Sequence, residues 1–186
     1  MYQGTRRILT HPRAEPSSSS VILDNACGTG ILASEVLRNF ESEGSKPRIF
    51  AADLAPGMVE KFRIKADRNG WLSEEDKRLD ISVMDAEALT YPDNTFTHSY
   101  TNLGFPFFPN GEKAASEVYR TLKVGGTAFV TSWKTLGYLA HIQRAQLAVR
   151  PGSVPWETPM PKQWYTMEML VNTLQAGGFR KDHISR

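Results

Sequence analysis

The run Val21-Ile22-Leu23-Asp24-Asn25-Ala26-Cys27-Gly28-Thr29-Gly30 decides the fold. Its opening residues are apolar and rich in β-branching, which suits a buried parallel strand. Asp24 breaks the run, small residues follow, and Ile31-Leu32-Ala33 opens a helical pattern. A strand ending in such a loop lets a nucleotide-like ligand approach the backbone. Glycine matters there because a Cβ would hold the ligand away, and because tight turns can need φ > 0.

Outward from this run, strands alternate with helices. Strands are expected over 21–25, 48–53, 79–85, 95–102 and 127–133, and helices over 31–40, 56–69 and 111–122. Pro56 suits a first helical turn, and Pro92-Asp93-Asn94 is a turn signal before the fourth strand. Gly125-Gly126 is expected to end the third helix. Residues 136–149 read as moderately helical, with Leu139, Ile142 and Val149 on a buried face. Pro151, Pro155, Pro159 and Pro161 exclude a regular helix after that. A last helix covers 166–176, and 179–186 begins something extended. Residues 1–19, with Pro12, Pro16 and the serines Ser17 to Ser20 leading into the first strand, read as a flexible lead-in. The expected fold is α/β: a Rossmann-like, doubly wound, mostly parallel sheet with helices on both faces, in one domain over 20–186.

Composition narrows the function classes. The chain has 186 residues, 40% hydrophobic and 23% charged, as in an ordinary globular domain. A net charge of +2 is too small to argue for nucleic acid, and Arg6, Arg7, Arg13, Arg180, Lys181 and Arg186 read as solvated termini. Cys27 is the one cysteine, so an intrachain disulfide is excluded, and its place in the small-residue loop favours packing over nucleophilic chemistry. No apolar run reaches membrane-spanning length and no signal peptide is read, so a cytoplasmic location is the expectation.

Ligands of such sheets bind outside the carboxyl ends of the strands. Asp24, Asp53, Asp85 and Asn102 stand there. Gly28-Thr29-Gly30-Ile31-Leu32-Ala33 fits G-x-G-x-x-G/A, and Asp53 follows at a spacing that a dinucleotide site would use. S-adenosyl-L-methionine is the other candidate. It carries a free ammonium and no phosphate, and Asp24 is an acceptor placed for that cation where a pyrophosphate would be repelled. A carboxylate at Asp53 can accept both ribose hydroxyls; its plainer role is a helix cap. Asp85-Ala86 can meet an adenine amine and ring nitrogen, and Asp85 can equally be a turn residue. Asn102, before Leu103-Gly104, is a cofactor contact or a turn.

At these residues the sequence resembles the class I S-adenosyl-L-methionine-dependent methyltransferases, most of all the small-molecule branch with the ubiquinone and menaquinone methyltransferases. Four segments carry the resemblance in order: the opening run, Ala51-Ala52-Asp53-Leu54-Ala55-Pro56-Gly57-Met58, then Met84-Asp85-Ala86-Glu87-Ala88-Leu89, and Glu117-Val118-Tyr119-Arg120-Thr121-Leu122-Lys123-Val124-Gly125-Gly126-Thr127. The resemblance implies that Asp24, Ala26, Gly28 and Gly30 hold the methionine end of the cofactor. Asp53 and Leu54 would hold the ribose with Met58 packing nearby, Asp85 and Ala86 the adenine, and Asn102 would lie beneath the sulfonium. No metal is implied. Ala26 stands where the family often has glycine and Val124 where it often has proline.

The same resemblance implies helices ahead of the first motif and two strands after the last helix, the final one antiparallel beside strand five. A chain that ends at Arg186 stops within or just after the sixth strand, so the final antiparallel strand is missing and the chain reads as truncated at both ends. Thr127-Ala128-Phe129-Val130-Thr131 then becomes an open edge for a partner chain or a second copy.

The implied reaction is methyl transfer to an O, N or C atom of a small, apolar or aromatic metabolite. Residues 135–165 are the expected substrate-side insertion. His141 is the candidate base, with an exposed surface histidine as its plainer reading; His98, in mid-strand, suits packing. Phe105, Phe107, Phe108, Trp133, Tyr138, Trp156 and Trp164 are shared between core and acceptor pocket in a way the sequence does not sort. Two rival readings remain: a cofactor-binding pseudoenzyme or subunit acting through a partner, and an NAD-dependent oxidoreductase. The latter leaves Asp24 and the Asp85-Ala86 pair without a role.

Overall fold

The computed structural model describes residues 8–11, 15–40, 46–73 and 77–185. Arg6, Arg7, Arg13, Arg186 and Pro12 lie outside these described residues. The elements are β1 (Val21–Asn25), α1 (Ile31–Asn39), β2 (Arg48–Asp53), α2 (Pro56–Arg68), β3 (Leu79–Val83) and β4 (Phe96–Asn102). They continue with α3 (Gly111–Thr121), β5 (Leu122–Thr131), α4 (Leu139–Val149) and α5 (Met167–Ala176). The sheet is ordered β3-β2-β1-β4-β5, and each pairing is parallel. Its switch point is therefore between β1 and β4, where strand order reverses.

Alternation along the strands feeds two cores. Ile22, Ile49, Ala51, Ile81 and Tyr100 pack with Leu32, Val36 and Leu37 of α1 and Val59, Phe62 and Ala66 of α2. Leu23 and Phe96 pack on the opposite side with Val118 of α3 and Leu122. A third cluster joins Ala114 and Ala115 of α3 to Leu170 of α5, with Phe105, Met160 and Trp164. Two helices carry a local side-chain cap: at α3 Asn110 accepts from the Lys113 N–H, and at α5 Thr166 accepts from the Met169 N–H.

Four expectations are corrected. The Gly125-Gly126 pair does not end α3, which stops at Thr121. Leu122 already pairs with Phe96, and the ladder then slips before His98 meets Thr127. Gly125 at φ 80 lets the chain bulge there. The expected buried face of α4 is absent, for no residue of that helix is buried. After α5, Phe179 packs edge-on against Tyr119 and Lys181–His183 is a 3-10 turn, so the described residues form no sixth strand. The lead-in is packed where it is described. Leu9 is in the first core, the Ser17 N–H donates to Ser20 Oγ at 2.9 Å, and the Ser20 carbonyl receives the Arg48 N–H. Serine hydroxyls closing a turn explain why a run that composition marks as loose is held here.

Candidate functional site

The loop after β1 is built from left-handed residues: Ala26 at φ 53, Gly28 at φ 55 and Gly30 at φ 68. Gly30 also has no room for a side chain, because a Cβ would lie 2.3 Å from the Phe62 ring. At Gly28 a Cβ would meet nothing within 4 Å, so that side of the loop is open. Ala26 and Leu103 (φ 63) end β1 and β4 on either side of the switch point. Strained non-glycine backbone concentrated at strand ends is a mark of functional sites. Gly104 answers this packing, since a Cβ there would come within 2.8 Å of the Ala26 methyl.

Two carboxylates hold the loop. Asp24 is 2% exposed and accepts the Ala33 N–H of α1 at 3.0 Å. Burial raises its pKa to about 7, with Asp53 adding to the rise and the Ala33 N–H and Lys65 opposing it. Asp53, at the end of β2, accepts the Gly28 N–H at 2.7 Å and the Ala55 N–H at 2.9 Å. Leu54 beside it is 63% exposed, and Met58 and Val83 are also exposed; Val83 is the register partner of Asp53.

Asp85 accepts the Glu87 N–H at 2.8 Å, a turn role that leaves the residue exposed, while Ala86 is buried. Asn102 accepts from the Thr131 hydroxyl at 2.7 Å, and the same hydroxyl oxygen receives the Leu103 N–H. Asp24, Asp53, Asp85 and Asn102 thus all lie at or just beyond the carboxyl ends of β1, β2, β3 and β4. His141 is exposed on α4. His98 is half-buried, stacks on Tyr100, and burial lowers its pKa. Cys27 is buried and burial pushes its thiol up, which suits packing.

The structure sorts the aromatics. Phe105 and Trp164 are core. Phe107 is 64% exposed and meets Trp133 edge-on at 6.0 Å. Tyr138 and Trp156 are exposed near α4.

Residues 23–130 match the family described as a methyltransferase domain. The chain belongs to this family. S-adenosyl-L-methionine is the family's cofactor. Methyltransferase tpcH of Aspergillus fumigatus is 32% identical over 172 residues, covering 89% of this chain and 58% of that protein. A ubiquinone/menaquinone biosynthesis C-methyltransferase UbiE of Hydrogenovibrio crunogenus is 36% identical over 111 residues, covering 60% of this chain and 41% of that one. The chain thus spans less than two thirds of these relatives. A crystal structure of the cyclase SpnF shares the fold with a TM-score of 0.72 at 24% identity, covering 95% of this chain and 57% of that one.

The residues fit this methyltransferase cofactor better than a dinucleotide. The Gly28 and Ala33 N–H groups, which a pyrophosphate would need at a helix start, are already taken by Asp53 and Asp24. A phosphate would face both carboxylates. An ammonium would be attracted by them. The open side of Gly28 and the exposed Leu54, Met58 and Val83 suit a flat ligand with an apolar face. The oxidoreductase reading falls with this.

Sequence reasoning missed two partners. Lys65 of α2 donates to the Thr29 carbonyl and, at 3.1 Å, to the Gly30 carbonyl. Thr131 fixes Asn102. Neither carries a local signal, because each contact joins segments far apart in the chain.

Proposed function

We propose that this chain transfers the methyl group of S-adenosyl-L-methionine to an O, N or C atom of a small, apolar or aromatic metabolite. The observation that carries this is the line of Asp24, Asp53, Asp85 and Asn102 along one edge of the sheet, with loop N–H groups held by carboxylates. Asp24, Ala26, Gly28 and Gly30 would hold the methionine end. Asp53 and Leu54 would hold the ribose, with Met58 against it. Asp85 and Ala86 would hold the adenine, and Asn102 would lie beneath the sulfonium.

Bound S-adenosyl-L-methionine supplies a methyl group already activated on a sulfonium. The chain's part is to align the acceptor, exclude water and, for a hydroxyl acceptor, take a proton. An amine acceptor needs no enzymatic base; for a hydroxyl acceptor His141 is the candidate, through its place in the substrate-side segment 135–165. Exposed Phe107 and its partner Trp133 follow the ends of β4 and β5 and favour a planar, apolar acceptor. No helix among the described residues is long and apolar enough to cross a membrane, and a lone buried cysteine suits the cytoplasm, where we place the protein.

The test is label transfer from methyl-labelled cofactor to a panel of a phenol, an aromatic amine and a hydroxyquinone. Transfer to one of them supports the reading. A chain that binds the cofactor and methylates none favours the second reading, a cofactor-binding subunit acting through a partner. That reading is supported by a groove of about 1220 Å³ along β5, lined also by Ile8, His11, Leu170, Val171 and Leu174.

A further inference from the structure

We propose that Lys65 is a positioning residue for the cofactor: its ammonium gathers the Thr29 and Gly30 carbonyls and, by its charge, favours the ionised form of Asp24 that receives the ligand's ammonium. The inference rests on the methyltransferase reading of the site.

Three observations converge on Lys65. Its Nζ donates to the Thr29 and Gly30 carbonyls. It lies 5.0 Å from the centre of the Phe62 ring, the ring against which Gly30 sits. Residues 62 and 65 are neighbours on one face of α2, so one helix face both backs Gly30 and binds the loop carbonyls. The Gly28 N–H is held on the other side by Asp53. The loop is therefore clamped between a cation at its carbonyls and a carboxylate at an N–H.

Charge gives Lys65 its second task. Asp24 is buried and ionises against a desolvation penalty. The titratable groups facing it are Asp53 from β2, Lys65 from α2, Cys27 from the loop and Tyr100 from β4. Of these Lys65 is the cation. Arg38 of α1 also bears on Lys65, but it pairs with Glu35 at 3.7 Å. A neutral Asp24 would offer the ligand's ammonium a weaker acceptor. Lys65 thus couples loop shape to ligand affinity without touching the ligand.

The test is calorimetric titration with S-adenosyl-L-methionine from pH 6 to pH 9, for the unsubstituted chain, Lys65→Met, Lys65→Arg and Asp24→Asn with and without Lys65→Met. Lys65→Met is expected to weaken binding about tenfold near pH 7, with the deficit shrinking toward pH 9 as Asp24 ionises unaided. Lys65→Arg restores most of the affinity, and in the Asp24→Asn background Lys65→Met loses its pH-dependent part. A loss of the same factor at every pH overturns the electrostatic role and leaves a structural one. Urea unfolding across the same pH range separates the two readings. If the unsubstituted chain binds no S-adenosyl-L-methionine, the site reading fails. An unfolding profile whose Asp24-dependent region does not move in Lys65→Met then overturns the Lys65–Asp24 coupling by itself.

Discussion

Asp24 shows how one residue ties stability to the proposed site. Its carboxylate caps the Ala33 N–H in a place from which water is excluded. In the unfolded chain an aspartate titrates near pH 4, whereas in the fold burial raises the value to about 7. Between those two values the folded chain keeps a proton that the unfolded chain has lost. Stability from this group is therefore full below about pH 4 and drains away as pH rises through about 7. Asn at this position still accepts from Ala33 and carries no charge. We expect Asp24→Asn to gain stability relative to the unsubstituted chain as pH rises from 4 to 8, measured by urea unfolding; a constant difference would contradict the burial argument. The carboxylates and glycines of this site were legible in the sequence because strand, acidic residue and small-residue loop are contiguous. Lys65 was not, because its role depends on the path of α2 over a loop 35 residues earlier.

Among the elements, the C-terminal end of α3 carries the clearest single-residue dependence. Arg120 donates to Glu117 at 2.7 Å, to Asp93 at 2.6 Å and to the backbone carbonyls of Leu89 and Tyr91. It thereby fastens α3 to the segment between β3 and β4 that carries Asp85. These bonds hold Glu117 below the usual carboxylate range. Arg120→Ala leaves the part-buried carbonyls of Leu89 and Tyr91 without this donor and removes the pairing of Glu117, so we expect a loss of about 1–3 kcal/mol in urea unfolding. A loss under about 0.5 kcal/mol would show the network to be screened by solvent. Elements with a strong local period were readable to within a residue or two, including β1, β2, α2 and α5. The start of β5 was not, since Leu122 joins the sheet before a bulge that only pairing with β4 defines. The face of α4 was misread because helical spacing says which residues share a side and not whether anything covers it.

At the scale of the whole molecule, alternation of strands and helices made the doubly wound sheet legible, and strand order then put the switch point, where the proposed site lies, between β1 and β4. The open edge expected at Thr127–Thr131 carries a groove of about 1220 Å³ that runs along β5. An uncovered parallel edge flanked by apolar side chains is a pairing surface. We expect sedimentation velocity to show a species heavier than the 20.8 kDa monomer that grows with concentration, and Val171→Asp in the groove wall to abolish it. A single monomeric species at every concentration would contradict self-pairing there. The proposed cofactor site lies elsewhere, at the carboxyl ends of the strands. Its most direct test is calorimetric titration of the unsubstituted chain and of Asp53→Ala with S-adenosyl-L-methionine, with NADH as a control. S-adenosyl-L-methionine alone is expected to bind, weakened in Asp53→Ala by about 1.5–3 kcal/mol through loss of hydrogen bonds to a charged acceptor. Equal affinity in the two chains, or binding of NADH instead, would contradict it.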